Sequence, residues 1–447
     1  MKSLLQKYDV PAPRYTSYPT VPYWSVTPSK EQWIEHLRET LQATSASWGM
    51  YLHIPYCESL CTFCGCNNTI TKNHRKEKPY VDLLLKEFEL YWSKVPEFQT
   101  KPCRQIHLGG GTPTFLSAEH LEELLQGLRA HMVLDPDHFE GSIEVDPRRT
   151  TREQLEVLYK NGINRISLGV QDFSPEVQRL VNRTQPYEVT ERMTNWAREI
   201  GYESVNFDLI YGLAKQTEES FRKTAEMTIQ LRPDRIALYS LALVPWIKPA
   251  QKLFKDEDLP KANEKRRLYE LAREMLLTAG YLEVGMDHFA LPQDGLVKAL
   301  NSRKLHRNFM GYTDVRTDVL LGLGVSSISE TPMSFHQNEK ILATYETRVT
   351  EGQIPTLRGH VLTELDQKRR RQILKFMTEY HVRLEADQIE DAKEFLSEMI
   401  EDGLVRVNKD ELQVTEGGRP FLRNACVFFD EHLRKTQPQT KIFSQSI

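Results

Sequence analysis

Between about residues 48 and 245, short aliphatic runs alternate with longer segments whose apolar positions recur every three to four residues. The short runs predict strands and the longer segments predict amphipathic helices. The predicted strands cover residues 50–55, 105–109, 142–146, 165–170, 204–210 and 235–241. Because parallel neighbours need a helical crossover, such units in series predict an α/β fold with a parallel sheet. No G-x-G-x-x-G opens the first unit, so a partial, TIM-like (β/α)6 barrel is predicted, with its site at the carboxyl ends of the strands.

Three of these strands carry a polar residue at every second position, so their polar residues share one face of the sheet. The polar positions are Ser142, Glu144, Asp146, Ser167, Gly169, Gln171, Asn206 and Asp208. The aliphatic residues between them would face the helices, which turns the polar set inward. A small closed barrel fills its interior with aliphatic side chains. A polar interior therefore predicts a wide, partly open barrel that holds a polar ligand.

The pattern changes on both sides of this region and predicts four parts of the chain. Residues 1–47 form an N-terminal extension over the barrel mouth, and residues 48–250 form the barrel. Residues 251–358 complete the barrel on the substrate side, and residues 359–447 form a mostly helical domain. The last part has the element order of a winged helix, but its basic content is ordinary. A lid or packing role is therefore favoured over DNA binding.

Four of the chain's six cysteines lie within residues 57–66, in the pattern C-x3-C-x2-C-x-C. Thiolates this close suit one compact inorganic centre, and three of them can hold a [4Fe–4S] cluster with its fourth iron open. A structural zinc knuckle is the alternative. Zinc sites usually add a second, distant pair of Cys or His ligands. Cys103 and Cys426 are isolated and predict buried thiols instead.

Composition narrows the class of protein. The chain has 447 residues and a formal net charge of −4. Nucleic-acid-binding domains are usually basic, so this charge argues against nucleic-acid binding. No apolar run approaches the length of a membrane span. The N-terminus, MKSLLQKYDVPAPRY, has no extended apolar stretch and no small-residue cleavage site. Clustered thiols without disulfide-like spacing predict a cytoplasmic protein.

A glycine run follows the second predicted strand as Gly109-Gly110-Gly111-Thr112. Glycines let the backbone approach a ligand closely, although a tight turn alone would also explain them. Phe63, beside Cys64, either shields an edge of the metal centre and stacks on a planar ligand or packs as a core aromatic.

Together these parts resemble the radical S-adenosylmethionine (SAM) superfamily, which implies a radical SAM barrel. In that superfamily the methionyl amine and carboxylate of SAM chelate the open iron, and the glycine-rich strand end holds the methionyl group. One electron from the cluster cleaves SAM to methionine and a 5′-deoxyadenosyl radical. The cofactor supplies the radical chemistry, and the protein supplies positioning and exclusion of water.

The resemblance narrows to one family, the oxygen-independent coproporphyrinogen III oxidases (dehydrogenases) of anaerobic haem synthesis. It runs from about residue 12 into the C-terminal domain. The shared motifs are PRYTSYP at 13–19, CGCN at 64–67, GVQDF at 169–173, QRLVNR at 178–183, NFDLIYG at 206–212, GMDHFA at 285–290 and LHRNF at 305–309.

This resemblance implies one [4Fe–4S] cluster and two SAM molecules. The implied cluster ligands, beside SAM itself, are Cys57, Cys61 and Cys64. The implied contacts to the iron-bound SAM are Tyr51, Phe63, Gly110, Glu144 and Ile328. The implied contacts to the second SAM are Gly111, Thr112, Gln171, Arg183, Asp208 and Ala242. The strand pattern independently turns Glu144, Gln171 and Asp208 inward.

Cys66 is a fourth thiol at a centre that needs three. A thiolate on the open iron would block SAM chelation, so Cys66 is predicted to be a catalytic non-ligand that positions substrate or relays a proton or electron. A small buried packing thiol is the alternative.

Arg and Lys donors suit the four propionates of coproporphyrinogen. The candidates for substrate contact are Arg14, Tyr15, His288, His306, Arg307 and Asn308.

The predicted activity is decarboxylation of two propionates of coproporphyrinogen III to vinyl groups, which gives protoporphyrinogen IX. A monomer is predicted that takes electrons from a reduced flavodoxin or ferredoxin and passes electrons to an external acceptor. The alternatives are a haem-degrading radical SAM methyltransferase and a non-enzymatic haem chaperone. Chaperone relatives generally lack both the YTSYP segment and the fourth cysteine. One departure from the family is Leu243, where a histidine is common.

Overall fold

The computed structural model describes residues 4–436, 438 and 442–446. Its largest element is a sheet in which six parallel strands follow one another in space in chain order. These strands are β1 (Trp48–Ile54), β2 (Pro102–Gly110), β3 (Glu140–Val145), β4 (Arg165–Gln171), β5 (Ser204–Tyr211) and β6 (Arg235–Ser240). In the described part of the chain the strand order runs from edge to edge without closing. The predicted partial barrel is therefore confirmed.

Helices in every crossover cover the outer face of these strands. The crossover helices are Glu77–Trp92, Ala118–Arg129, Arg152–Lys160, Pro175–Leu180, Tyr187–Ile200 and Glu218–Leu231. The Ser117 hydroxyl accepts a hydrogen bond from the His120 amide and so caps the second of these helices. Its predicted apolar stripe, including Leu121 and Leu125, is completely buried. Burial of such stripes against the sheet forms the largest core of the protein.

Burial on the inner strands follows the predicted alternation. Along β4 and β5 the outward-facing apolar residues, such as Leu168 and Phe207, are buried, whereas Gln171, Asn206 and Asp208 are partly exposed. Ile210 occupies an inward position and is also partly exposed. The polar residues face the barrel interior and line a cavity there. The interior of this barrel therefore has room for a polar ligand.

The sheet continues beyond the barrel at both edges. Next to β6 lie the antiparallel strands β7 (Leu282–Val284) and β8 (His288–Ala290), with β8 paired to β6. Next to β1 lies the parallel strand β9 (Val319–Leu323). Beyond β9 the sheet ends in the antiparallel strands β10 (Ile328–Glu330), β11 (Ser334–Asn338) and β12 (Thr356–Val361). Short pairs also join Tyr56–Cys57 to Thr69–Ile70, Val133–Leu134 to β2, and His306–Asn308 to Gly311–Thr313.

The C-terminal region has a core of its own. A three-stranded sheet is made of His381–Arg383, Val405–Asn408 and Glu411–Val414. The surrounding helices are Glu364–Glu379, Gln388–Phe395, Ser397–Glu401, Leu422–Cys426 and Glu431–Lys435. Tyr8, Tyr15 and Tyr18 from the start of the chain are buried in this core. The N-terminal segment is thereby held against the C-terminal region.

The other helices cover Leu4–Tyr8, Lys30–Gln42, Ala262–Thr278, Gly295–Asn301 and Leu342–Thr350. None of the helices in the described part of the chain combines the length and the apolar character that a bilayer crossing requires.

Candidate active site

A cavity of about 390 Å³ lies at the carboxyl ends of the barrel strands. The cysteine loop, the glycine turn and the polar strand residues all line it. The predicted site residues on its wall are Cys57, Cys61, Phe63, Cys64, Cys66, Gly110, Gly111, Thr112, Glu144, Gln171, Arg183 and Asp208. The predicted residues Tyr51, Ala242 and Ile328 are not on this wall. Tyr51 lies directly behind it, because its ring stacks on that of the wall residue His107 with centroids 5.9 Å apart.

The three proposed ligand thiols receive hydrogen bonds from the cavity wall. Their partners are Thr112 Oγ1 for Cys57 at 3.4 Å, Arg183 Nη1 for Cys61 at 3.7 Å, and the Cys66 amide and Asn68 Nδ2 for Cys64 at 3.4 and 3.5 Å. Hydrogen bonds from Cys66 lower the pKa of Cys64. Donors around sulfur favour the thiolate, which is the form that binds metal.

The spacing of the thiols argues against a single ion. Among the described residues, the group whose ligand atoms lie within 4.8 Å of one another is His360, Asp366 and His432, far from the cysteines in sequence. No three cysteine sulfurs in the described part of the chain lie within 4.8 Å of one another. Three cysteine sulfurs that bind different irons of a cubane lie farther apart than three sulfurs that bind one tetrahedral zinc ion.

The glycine turn is locked against the cysteine loop by backbone hydrogen bonds. The Gly111 amide donates to Ile54 O at 2.8 Å, and the Thr112 amide donates to Tyr56 O at 2.9 Å. Gly110 has φ +111°, a conformation that side chains disfavour. A Cβ at Gly111 would lie 2.6 Å from Pro55 O, inside contact distance. The run is thus a tight turn whose backbone also faces the cavity.

Glu144 presents a carboxylate to the cavity. Its Oε1 lies 3.4 Å from His107 Nε2, and its Oε2 accepts from the Gly110 amide at 3.4 Å. Burial raises the pKa of Glu144, but His107 and the Gly110 amide outweigh burial and lower it. An ionised carboxylate here can accept hydrogen bonds from an ammonium or a hydroxyl group. Sequence reasoning missed His107, although it lies two residues before the glycine run on an inward-facing position.

Asp208 is a second inward-facing carboxyl group, and its pKa is shifted in the opposite direction from that of Glu144. Ser167 Oγ donates to it at 2.9 Å and Asn206 Nδ2 donates at 3.0 Å. Burial, assisted by the charge of Glu144, raises the pKa of Asp208 to about 6 despite these bonds. Asn206 Oδ1 is buried and has no hydrogen-bond partner. This wall therefore offers acceptors that are not satisfied within the protein.

Arg183 lies between the cysteines and the strand ends. Its Nη1 is 3.3 Å from Asp146 Oδ2, and its Nη2 donates to Gly169 O at 2.6 Å. Arg148 Nη2 pairs with the same Asp146 oxygen at 2.7 Å. Burial raises the pKa of Asp146, but the two guanidinium groups outweigh it and hold that pKa at about 2. Sequence reasoning missed Arg148, which follows the inward-facing Asp146 by two residues.

One N–H donor of Arg183 has no hydrogen-bond acceptor within the described protein. The Nε atom is buried and has no hydrogen-bond partner, and the side chain is only 9% exposed. An unsatisfied buried donor costs free energy, so its persistence beside a cavity indicates a ligand acceptor. The carboxylate of an amino-acid group would satisfy it.

The residues predicted to contact substrate fall into two groups. Arg14 Nη2 donates to Ser240 O at the end of β6 at 3.0 Å, and Arg307 Nη2 donates to Arg14 O at 3.3 Å. His288 lines the cavity and pairs with Asp287 at 2.7 Å. By contrast, His306 lines a second cavity together with residues from the starts of the barrel strands. The second cavity shares Glu140 and Arg165 with the candidate site, but His306 lines only the second cavity.

Three thiols, a close-approach backbone turn, two carboxyl groups and an orphaned guanidinium donor suit a site-differentiated iron–sulfur cluster and an amino-acid-bearing nucleoside. The fold and the site are those of a radical SAM protein. The radical SAM superfamily profile matches residues 51–228. Members of that superfamily use SAM and a [4Fe–4S] cluster.

Relatives over the whole chain define the family more closely. The oxygen-independent coproporphyrinogen III oxidase of Escherichia coli strain K12 is 40% identical over 443 residues, which span 97% of this chain and 95% of the relative. That of Pseudomonas aeruginosa is 38% identical over 441 residues, or 96% and 95% of the two chains. The solved structure of coproporphyrinogen III oxidase from Escherichia coli, described as a radical SAM enzyme, has a TM-score of 0.88 and 40% identity, and covers 94% of this chain and 98% of that one. The chain belongs to the family of oxygen-independent coproporphyrinogen III oxidases.

Proposed function

We propose that this chain is the coproporphyrinogen dehydrogenase of a haem pathway. It converts two propionate side chains of coproporphyrinogen III to vinyl groups without oxygen and yields protoporphyrinogen IX. The observation that carries the proposal is the meeting of three thiols, the glycine turn and an unsatisfied Arg183 donor at one end of a barrel with a polar interior. Near full-length similarity to enzymes of this name supports the substrate.

One [4Fe–4S] cluster is held by Cys57, Cys61 and Cys64, with SAM on its fourth iron. When bound, the cluster and SAM supply the radical that removes a hydrogen atom from the propionate β-carbon. Hydrogen bonds from Cys66 favour the Cys64 thiolate, whereas burial raises the pKa of Cys57 to about 11, so metal binding would release the Cys57 proton. Phe63 and the glycine turn line the cavity beside the cysteine loop and would shield the reacting atoms from bulk water.

We assign wall residues, together with Tyr51, Ala242 and Ile328 outside the wall, to binding two SAM molecules. Tyr51, Phe63, Gly110, Glu144 and Ile328 contact the iron-bound one. Gly111, Thr112, Gln171, Arg183, Asp208 and Ala242 contact the second. Glu144 accepts from a hydroxyl or ammonium group, and the free Nε–H of Arg183 donates to a carboxylate. These groups position the cofactor and transfer no proton.

Cys66 acts beside the cluster without binding iron. It is the exposed member of the four clustered thiols and lines the cavity. Both its amide and its thiol hydrogen-bond to the Cys64 sulfur. An exposed thiol is inconsistent with the alternative of a buried packing role. It can position the substrate or carry a proton or an electron.

Substrate propionates are recognised at the mouth of the barrel by cations that lack carboxylate partners. Arg14, Arg307 and Arg423 form no ion pair with any described carboxylate. Arg307 Nε is buried without a hydrogen-bond partner. Burial is the main cause that lowers the pKa of Arg423 to about 9, and its N–H groups donate to backbone carbonyls, so we assign it to packing. A propionate would pair with Arg14 and Arg307.

The chain is organised for this reaction in four parts. Residues 1–47 cover the mouth, residues 48–250 form the catalytic barrel, residues 251–358 complete it on the substrate side, and residues 359–447 pack against the N-terminal segment. The enzyme works as a cytoplasmic monomer and takes electrons from a reduced flavodoxin or ferredoxin. Hydrogen bonds from Arg423 to Pro13 O at 3.0 Å and from Asn424 to Tyr8 O at 2.9 Å support the packing role.

Anaerobic incubation of the cluster-loaded enzyme with coproporphyrinogen III, SAM and a chemical reductant tests the activity. We expect CO2, 5′-deoxyadenosine and a divinyl product. Enzyme without SAM serves as the control and should release no CO2. Tight haem binding with no CO2 from the complete mixture would reject the oxidase and favour a haem chaperone.

Binding of the second SAM should depend on pH through Asp208. Because the pKa of this carboxyl group is raised to about 6, it is ionised above that pH and protonated below it. Only the carboxylate accepts two hydrogen bonds from a ligand, so affinity should fall by up to about tenfold per pH unit as the pH drops below 6. Equilibrium SAM binding across this range measures the effect. Asp208→Asn should bind weakly at every pH, and a pH dependence that persists in it would exclude Asp208 as the source.

A further inference from the structure

Exposed apolar side chains are concentrated around the cysteine loop. Of sixteen exposed large apolar residues in the described chain, seven lie on this loop or on segments hydrogen-bonded to it. We name these seven residues the loop rim; they are Leu60, Ile70, Leu180, Trp246, Ile247, Leu253 and Ile341. Leu253 and Ile247 are 73% and 58% exposed. Exposed apolar groups gathered in one region typically mark a binding surface.

Direct hydrogen bonds connect the loop rim to the cysteine loop. Lys248 Nζ donates to Cys66 O at 2.6 Å, and Gln251 Nε2 donates to Phe63 O at 3.0 Å. On the other sides, Asn182 Nδ2 donates to Leu60 O at 2.8 Å and Asn67 Nδ2 donates to Lys340 O at 3.0 Å. A partner seated on the rim would therefore lie one layer of backbone away from the cluster ligands.

The charge around the rim is opposite to that of the whole chain. Residues 59–76 and 243–255 contain no Asp or Glu, although the chain has a net charge of −4. The cations in these two segments are Lys72, Arg75, Lys76, Lys248, Lys252 and Lys255. Among them only Lys255 lies near a described carboxylate, Glu257, at 3.8 Å. An apolar centre flanked by two cationic segments, with five of their six cations outside any ion pair among the described residues, complements an acidic protein with an apolar patch.

We propose that the loop rim is the docking surface for an acidic one-electron donor protein that reduces the cluster. The proposal rests on the proposed function, because SAM cleavage consumes an electron that the chain cannot supply. In the step, the reduced donor loses one electron and the oxidised [4Fe–4S]2+ cluster becomes [4Fe–4S]+, with no bond made or broken. The propionate-binding cations Arg14 and Arg307 lie on other segments, which leaves the rim lysines for the donor.

The test compares two reductants on cluster-loaded enzyme, with reduced flavodoxin as the protein donor and dithionite as the chemical one. The variants are Lys252→Glu/Lys255→Glu, which reverses the charge of the rim, and Leu253→Ser, which removes its most exposed apolar side chain. The control variant is Arg406→Glu/Lys409→Glu in the C-terminal hairpin, which changes the net charge by the same amount as the lysine double variant. Arg406 and Lys409 form no ion pair with a described residue. Rapid-mixing absorbance follows cluster reduction, and calorimetry follows flavodoxin binding.

The lysine double variant should weaken flavodoxin binding and raise the donor concentration for half-maximal reduction by roughly tenfold or more. Leu253→Ser should weaken flavodoxin binding and raise the donor concentration for half-maximal reduction by several-fold. Added salt should weaken flavodoxin binding to the unaltered enzyme. Reduction by dithionite, and the KM for coproporphyrinogen III with dithionite, should change less than about twofold.

Normal flavodoxin binding and reduction in both rim variants would overturn the docking proposal. An equal loss in the matched C-terminal variant would also overturn it, because the effect would then be one of net charge. A raised KM for coproporphyrinogen III in the rim variants would assign the rim to substrate instead. Failure of the unaltered enzyme to decarboxylate with dithionite would reject the proposed function, whereas cluster reduction by flavodoxin could still be measured.

Discussion

Replacing Cys61 with alanine should abolish turnover and most of the bound iron. Cys61 is buried, lines the cavity and accepts hydrogen bonds from Arg183 and Arg148 at 3.7 and 4.0 Å. A cubane held by three thiolates loses a corner when one is removed, and the remaining thiol of the loop, Cys66, is assigned a non-ligand role. We expect less than about a hundredth of the normal rate of CO2 release. Iron and sulfide analysis after anaerobic purification reports the cluster independently of activity.

Cys66→Ser is the matched control for that experiment. Both thiols belong to the same loop, and serine preserves the shape of the side chain and the amide that donates to Cys64. The variant should keep its full iron content and lose turnover. Iron loss in Cys66→Ser with retention in Cys61→Ala would mean that the ligand set is different. Zinc in place of iron in the unaltered protein would contradict the cluster itself.

Replacing Arg183 with glutamine should remove one of two bound SAM molecules. The guanidinium lines the cavity, its buried Nε–H has no hydrogen-bond partner, and it also contacts Asp146 and Gly169. Truncating one partner of a buried charged contact costs about 2–5 kcal/mol, which corresponds to a loss of ~30-fold to several thousand-fold in affinity. Equilibrium binding of SAM to cluster-loaded enzyme should fall toward one equivalent per chain.

Two further variants separate this effect from general damage. Arg183→Lys keeps the charge but not the planar fork, so it should recover only part of the affinity. Arg179→Gln changes a residue of the same segment that makes no contact with the cavity wall, and it should bind SAM normally. Asp146 keeps its ion pair with Arg148 in every variant, which limits the loss of stability. Two equivalents of SAM bound to Arg183→Gln would contradict the assignment.

The alternating pattern of the barrel predicted much of what the structure shows. On β4 and β5, burial follows the sequence with a period of two because the helices outside and the cavity inside impose opposite environments on adjacent residues. The inward placement of Glu144, Gln171 and Asp208 follows from the same alternation. The C-x3-C-x2-C spacing likewise required only a local loop, since all of its ligands lie within a few residues.

Short elements and long-range contacts were not predictable in this way. Strands of three residues, such as β7 and β10, are too short to show a period and exist because a neighbouring strand edge pairs with them. The sequence also placed His306 among the substrate candidates, whereas its side chain lines a second cavity. Met310, Tyr312 and Thr313 of the same hairpin line the candidate site instead.

By itself, the sequence determined the fold class, the cluster loop, the inward face of each regular strand and the family. Each of these depends on residues close in the chain, or on one repeated spacing that hydrophobic burial enforces. The tertiary structure decided which side chains meet across strands. It joined His107 to Glu144, set Arg148 and Arg183 on one carboxylate, left one Arg183 donor unsatisfied, and surrounded the cysteine loop with exposed apolar residues and lysines. Those contacts join segments distant in sequence, so only the packing of the complete chain brings them together.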